Sequence, residues 1–335
     1  MRFDFLVPGL LDSPSPQKIR ELAPDLATLL ARASVAPERS YSLESWIAQR
    51  FSQVENDETF PLAAIASCAE QIADSSAANW LRADPVHLSV NRDRVVLLDA
   101  SQLEITIAES KALILSLQMH FANDGLIFSA PDPNRWYIAS DKPIAIRTHP
   151  VSHVRGRNVA DYWFDGVDRA LWQTRLSEIQ MLLHAHPVNE AREASGQLAI
   201  NGMWFWGEGK APKFIKHDYT QIVANNVLIA GIAKLTATRF IETGQFRWDE
   251  VTPSTAENTL AVLDQLDSSA AYGEWLAWET SLTTLDQNWF VPACSALKKG
   301  QLKAINIYAP YKDHGKTFSI SRIDQLKFWR RLQIT

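Results

Sequence analysis

Two cysteines in 335 residues, Cys68 and Cys294, exclude a disulfide framework and a cysteine-built zinc site. Free buried thiols and a reducing cytoplasm are the expectation. No apolar run reaches roughly 18 residues, so no membrane-spanning helix is expected. The opening MRFDFLVPGLLDSP has one early positive charge and an acidic residue, which reads against a signal peptide. Excess positive charge is missing as well: the formal net charge is -5, and no nucleic-acid partner is expected. A glycine-rich phosphate loop is also lacking. Gly202 and Gly207 have the right separation, but Glu208 stands where the lysine belongs, and Gly207-x-Gly209 continues to Pro212 rather than to a third glycine. The chain carries no internal repeat and no low-complexity tract.

What is present is ordinary for a soluble globular protein with a sizeable core, 46% hydrophobic and 21% charged, in one large α/β domain or two. Twelve tryptophans imply that most are buried. The most distinctive stretch runs from Leu183 to Gly209. Before it, Val167, Leu171, Trp172, Leu176, Ile179, Leu182 and Leu183 recur three and four apart and predict an amphipathic helix from about Val167 to His184. Pro187 stops it, Asn189 is placed to cap a second helix over Glu190 to Ser195, and Gly196 is free to close that helix in the left-handed conformation. Leu198 to Trp206 reads as a buried strand that ends at Gly207-Glu208-Gly209. Those glycines leave the backbone free to approach another group closely. Open α/β sheets place ligands at such strand ends.

The run His186-Pro187-Val188-Asn189, then Arg192, Gly196, Asn201 and the aromatic strand ending Trp206-Gly207-x-Gly209 resembles the archaeal-type cofactor-independent phosphoglycerate mutases of the alkaline phosphatase superfamily. It is closer still to a group of shorter bacterial relatives, the RpfE-type regulators. Trp80-Leu81-Arg82-Ala83-Asp84-Pro85-Val86-His87-Leu88, Arg92-Asp93-Arg94, Val227 to Ala233 and Phe328-Trp329-Arg330-Arg331 are similar to the same group. The resemblance implies an α/β fold: an alkaline-phosphatase-like doubly wound sheet, formed by residues 1–80 and 186–335, with an inserted α+β subdomain over 81–185.

In chain order, Arg2 to Val7 predicts a first buried strand, and Asp4 within it an edge residue or a partner for a nearby base. Ile19 to Ala33, Leu43 to Phe51 and Pro61 to Ala73 predict helices, with Asn56 to Glu58 between the last two. Val95 to Asp99, Gly125 to Ser129 and Trp136 to Ala139 predict short strands, with a helix over Leu103 to Phe121. Asp141 to Asn158 is an irregular basic link. Farther on, Asn226 to Ala230 predicts a strand, Ala233 to Thr243, Thr255 to Leu266 and Ala271 to Leu285 helices, and Leu302 to Ala309 a final strand. Ser321 with Asp324 approximates a capping box for a terminal helix through Leu332, with Ile323, Leu326 and Trp329 inward and Lys327, Arg330 and Arg331 solvated.

The resembled mutases use a two-metal centre of Asp and His ligands with a hydroxyl nucleophile, and their first strand ends in an Asp-Gly pair. Here that position is Pro8-Gly9-Leu10. Ser42 and Ser67 read as ordinary helix residues. Asp313-His314-Gly315 is only superficially similar to a family element. Among the other histidines, Pro150 separates His149 from His153, and His184 and His186 point apart. No catalytic or metal-binding residue is therefore assigned. Arg82, Arg147, Arg155, Arg157 and Arg192 could converge on an anion, because guanidinium forks suit phosphate and carboxylate. The resemblance offers Arg82, Asp84, Asn189, Arg192, Asn201, Gly207 and Gly209 as substrate-binding residues. Arg192 pairing with an acid as a clamp, and Trp204 and Trp206 packing as core, are the competing structural readings.

Three functions follow from the resemblance. The leading expectation is a degenerate, non-catalytic, cytoplasmic regulatory or ligand-sensing protein without a cofactor, binding a phosphorylated small-molecule acid. The alternatives are an active mutase or phosphatase using Mn, Zn or Mg, and a scaffold for a protein partner.

Overall fold

The computed structural model describes residues 1–13, 15–38, 40, 42–52, 60–70, 72, 79–91, 94–212, 215–250, 257–311, 315–327 and 329–330. Its strands are β1 (Arg2–Leu6), β2 (Ser34–Glu38), β3 (Asn79–Asn91), β4 (Arg94–Leu98), β5 (Leu126–Asp132), β6 (Arg135–Ser140), β7 (Gly202–Gly209), β8 (Gln221–Val223), β9 (Arg239–Ile241), β10 (Asn258–Val262), β11 (Ala304–Ala309) and β12 (Gly315–Ser321). The chain divides into two compact units, Met1–Ser52 with Ile215–Thr335, and Gln53–Phe214.

The first unit is built on a seven-stranded sheet in the order β2-β12-β11-β1-β10-β8-β9. Strands β1, β8, β9, β10 and β11 run parallel, and β12 is antiparallel to both β11 and β2. Alternation along β1 explains why it sits in the middle. Phe3 and Phe5 point to one face, into a core with Ile19, Leu26, Leu29, Leu282 and Leu297 from four helices. Full burial of each phenylalanine contributes about 1.5–3 kcal/mol. On the other face, Trp46 of helix Leu43–Phe51 lies 5.1 Å from the Tyr308 ring. Helices therefore cover both faces, as a doubly wound sheet requires.

Several elements differ from expectation, each for a local reason. Pro24 splits the helix expected over Ile19 to Ala33 into Pro16–Leu22 and Pro24–Arg32. The predicted helix Thr255 to Leu266 contains β10 instead, with residues 255–256 outside the described set. A central parallel strand is apolar on both sides, so NTLAV has no period that tells it from helix. Asn226 to Ala230 is a helix start, not a strand: Asn226 Oδ1 accepts from the Leu228 and Ile229 amides at 3.0 and 3.4 Å. That helix ends at Leu235, and β9 replaces the rest of the predicted helix over Ala233 to Thr243. Gly273 divides Asp267–Tyr272 from Trp275–Leu285. β11 is not final, because β12 returns beside it. Ser321 does donate to Asp324 from both amide and hydroxyl, but it opens only a 3-10 turn, Ile323–Leu326. Ile323, Leu326 and Trp329 are 75%, 70% and 67% exposed rather than inward. Phe328 and 331–335 lie outside the described residues.

The second unit is an antiparallel sheet, β4-β3-β6-β5, with β7 also paired to β3. Its core joins Leu81, Ala83, Trp136, Ile138, Met203 and Phe205 of the sheet to Leu113 and Leu117 of helix Ile107–His120 and Trp172, Leu176, Ile179 and Leu183 of helix Arg169–His184. Val167 and Leu171, expected in that helix's apolar stripe, face out instead. The strand ending Gly207-Glu208-Gly209 thus belongs to an antiparallel sheet and not to the ligand edge of the parallel one. Residues 53–80 and 186–214, expected in the main body, fall in this unit. Among the described residues, no helix is long and apolar enough to cross a membrane.

Candidate functional site

The β3–β7 ladder brings together four of the residues singled out from sequence. Arg82 pairs with Trp206, Trp80 with Gly209, and Asp84 with Trp204. On the face opposite the core, Arg82 Nε and Nη2 donate to Asp84 Oδ1 at 3.0 and 2.6 Å. The Trp206 indole donates to Asp84 Oδ2 at 2.7 Å, and the Trp136 amide to Oδ1 at 3.3 Å. The Arg82 guanidinium is also flanked by the Tyr137 and Trp206 rings, each 4.9 Å away. Burial works against its charge, but Asp84 and the phenol outweigh that and raise its pKa above the usual arginine value. A buried ion pair with these hydrogen bonds is a satisfied structural unit. Arg82 and Asp84 have 5% and 4% of their surface exposed, which leaves little for a ligand.

Gly207 and Gly209 do mark a close approach, to the protein's own backbone. At Gly207, φ is +71°, and an added Cβ would sit 2.9 Å from the Ala63 amide nitrogen. At Gly209, φ is +134°, and Cβ would meet Pro61 at 2.8 Å. The first turn of helix Leu62–Ala69 occupies that space.

The remaining three predicted residues are also structural. His186, not Asn189, caps helix Pro187–Ala194, accepting from the Val188 amide at 3.2 Å. Pro187 starts this helix as well as ending the previous one, since proline suits the first helical position. Asn189 lies inside it, donating to Leu183 and Ile200 carbonyls (both 2.8 Å) and accepting from Ile200 N (2.7 Å). Arg192 donates to the Leu103 carbonyl, to Leu198 O (2.8 Å) and to Glu109 (2.9 Å). Its acidic partner is Glu109. Asn201 exchanges hydrogen bonds with the Leu88 backbone at 2.7 and 3.1 Å.

A different group stands out in the basic link. Pro150 begins the short helix Val151–Val154 rather than breaking one, and this folds His149 back toward His153. Their rings lie 6.1 Å apart, and both face Tyr162, at 5.7 and 5.0 Å. Arg157 Nη1 donates to the Tyr162 hydroxyl at 3.0 Å. These four side chains are half-buried. Burial lowers the His149 pKa, so its imidazole is neutral near pH 7. The other candidate arginines are engaged nearby in sequence: Arg155 with Asp99 (3.5 Å) and Arg147 with Asp165 (3.8 Å). Two imidazoles, a phenol and a guanidinium form a concentration of donors suited to a small oxyanion. Tyr162 carried no warning in sequence, because only tertiary contact with the histidines gives it meaning.

In the first unit, Asp4 is the partner of a nearby base, though on a central strand and not at an edge. It accepts from Arg2 (3.1 Å), Tyr219 (3.0 Å) and Asn306 (2.8 Å). His217 accepts from the Tyr219 amide at 3.1 Å and contacts Thr236 at 3.0 Å. Beyond β1, Leu10 is fully buried, the Trp278 indole donates to Gly9 O at 3.0 Å, and Gly9 abuts the Leu266 carbonyl. Among the described residues, no three His, Cys, Asp or Glu side chains are grouped to hold a metal ion. Asp313 and His314 lie outside the described set.

The architecture is that of a mixed α/β protein, a largely parallel seven-stranded sheet with helices and a separate unit built on an antiparallel sheet. Part of the chain is similar in sequence to proteins named 2,3-bisphosphoglycerate-independent phosphoglycerate mutase. It is 27% identical over 118 residues to the 2,3-bisphosphoglycerate-independent phosphoglycerate mutase of Methanosarcina barkeri, covering 35% of this chain and 30% of that one. The Methanosarcina mazei protein of the same name is 27% identical over 139 residues, covering 40% and 35%. The similarity thus spans about a third of these relatives' length. Among solved structures, a Pyrococcus horikoshii protein superposes with a TM-score of 0.50 at 10% identity, covering 96% of this chain and 87% of that one. A cofactor-independent phosphoglycerate mutase from Thermoplasma acidophilum gives 0.47 at 14% identity, covering 96% and 89%. No protein-family profile matches the chain.

Proposed function

We propose that the protein is a non-catalytic relative of the phosphoglycerate mutases that acts by binding a phosphorylated small acid, as a cytoplasmic sensor or regulator. The observation that carries this is the closed end of β1. Leu10, Leu266 and Trp278 pack around Pro8-Gly9, where the resembled enzymes place a metal-binding Asp. The chain has Pro8-Gly9-Leu10 in place of that Asp, and the Trp278 indole is held on the Gly9 carbonyl. Phosphate monoester hydrolysis needs up to about 10²¹-fold acceleration, and loss of a nucleophile alone typically removes on the order of 10⁶-fold. The anion would be held by Arg157, His149, His153 and Tyr162, with the exposed Arg147 at the rim of the same segment.

The test is a thermal shift with 3-phosphoglycerate beside an assay of metal content and mutase turnover. Saturation at 100 times Kd adds roughly 2.7 kcal/mol. That gain should vanish in Arg157→Ala with His149→Ala while the variant stays folded. About two equivalents of bound Mn, Zn or Mg with turnover would overturn the proposal. So would the absence of a shift with every phosphorylated three-carbon acid tried.

A further inference from the structure

We infer that a cavity in the first unit, independent of the anion cluster, binds one uncharged, hydroxyl-rich ring: a monosaccharide or cyclic polyol. The cavity measures ≈160 Å³. That is about the 150 Å³ of an engineered protein cavity that takes up benzene, so the space suits a single six-membered ring.

Its chemistry specifies the class. No charged side chain lines it. Gln265, Thr280, Thr284 and Asn288 are exposed at its mouth, and no side chain there offers a charge to pair with an anion or a cation. Thr280 and Thr284 line one side, one helical turn apart; their hydroxyls donate to the Leu276 and Thr280 carbonyls at 2.9 and 3.0 Å and keep lone pairs to accept with. Ser281, Gln265 and the Asn288 side chain also line it and make no hydrogen bond among the described residues. Two amides and a hydroxyl offer both donors and acceptors, which is what a ring bearing several hydroxyls matches. The apolar wall is Leu285 and Trp289, the latter stacked on Phe246 at 5.1 Å and 16°. Trp289, with 6% of its surface exposed, closes the floor rather than the mouth.

The backbone shows why these groups converge. Asp286 turns inward to accept from the amides of Asp25 (3.3 Å) and Leu26 (2.8 Å), capping helix Pro24–Arg32, which has no cap of its own. Residues Asp286–Phe290 respond by forming a π turn, which widens the helix and brings Asn288 and Trp289 to the cavity beside Gln265. Single π turns recur at functional sites.

The experiment is saturation-transfer NMR on the full chain with a panel of hexoses and inositol, and with glucose 6-phosphate and 3-phosphoglycerate as charged comparators. Transfer from at least one neutral ring is expected. Asn288→Ala and Gln265→Ala should each weaken it roughly fivefold, the worth of one neutral hydrogen bond. Thr284→Trp, at an exposed helical position, should abolish it by filling the space without unfolding the chain. Arg157→Ala should leave it unchanged, so this site and the anion site stand or fall separately. No transfer from any neutral ring, or transfer that survives Thr284→Trp, overturns the assignment.

Discussion

The Arg192 guanidinium, with 2% of its side chain exposed, ties helix Pro187–Ala194 to the Leu103 carbonyl, Leu198 O and Glu109. Arg192→Ala should therefore cost about 3–5 kcal/mol, the usual penalty for breaking a buried pair, and chemical denaturation would measure it. A residue that only contacted ligand would leave stability unchanged. Arg192 was legible in sequence as a marked position. Its role was not, because an arginine that clamps and one that binds phosphate have the same local pattern. At the other end of the chain, Asp324 is held at about 2 by Lys327 and by Ser321. Its folded pKa lies below its ordinary value of 3.8. Its contribution is thus present above pH 3.8 and lost as pH falls toward 2. A carboxyl NMR titration of Asp324 should show that low midpoint, and hydrogen exchange in 321–327 should speed up over the same window. Asp324→Asn should remove the pH step.

Among elements, β7 and helix Leu62–Ala69 make the sharpest comparison. Gly207→Ala places a Cβ at 2.9 Å from Ala63 N in a left-handed conformation, whereas Gly196, at φ +76°, has nothing within 4 Å. Gly196→Ala should cost only the conformational penalty of about 1–2 kcal/mol; Gly207→Ala should exceed it by about 1 kcal/mol or more, because backbone must move. Equal melting temperatures for the two variants would contradict this packing. Sequence reading located this strand and its glycines but assigned the strand to the wrong sheet. Strand partners are set by distant residues such as Trp80 and Asp84, and the wholly apolar run from Met203 to Trp206 is compatible with either sheet. The same ambiguity hid β8 and β10, whereas β1, with its alternation, and helix Leu43–Phe51 were plain, although Ser42, read as an ordinary helix residue, is that helix's N-cap.

At the scale of the whole molecule, the second unit is one continuous segment with its own apolar core. A fragment of residues 53–214 should unfold cooperatively, with near-UV circular dichroism from Trp80, Trp136 and Trp172. Loss of that signal in the isolated fragment would show that this core depends on the rest of the chain. The first unit is discontinuous, and its central strand is partnered by residues made last: Arg2 aligns with Asn258 on one side and Ala304 on the other. Synthesis at roughly 5–20 residues per second leaves β1 without its strand partners for about 10–50 s while some 250 residues follow. A ribosome stalled after residue 214 should therefore carry a protease-resistant second unit behind an amino-terminal segment that is readily cleaved. Until β10 and β11 emerge, that apolar segment is a natural client for a chaperone.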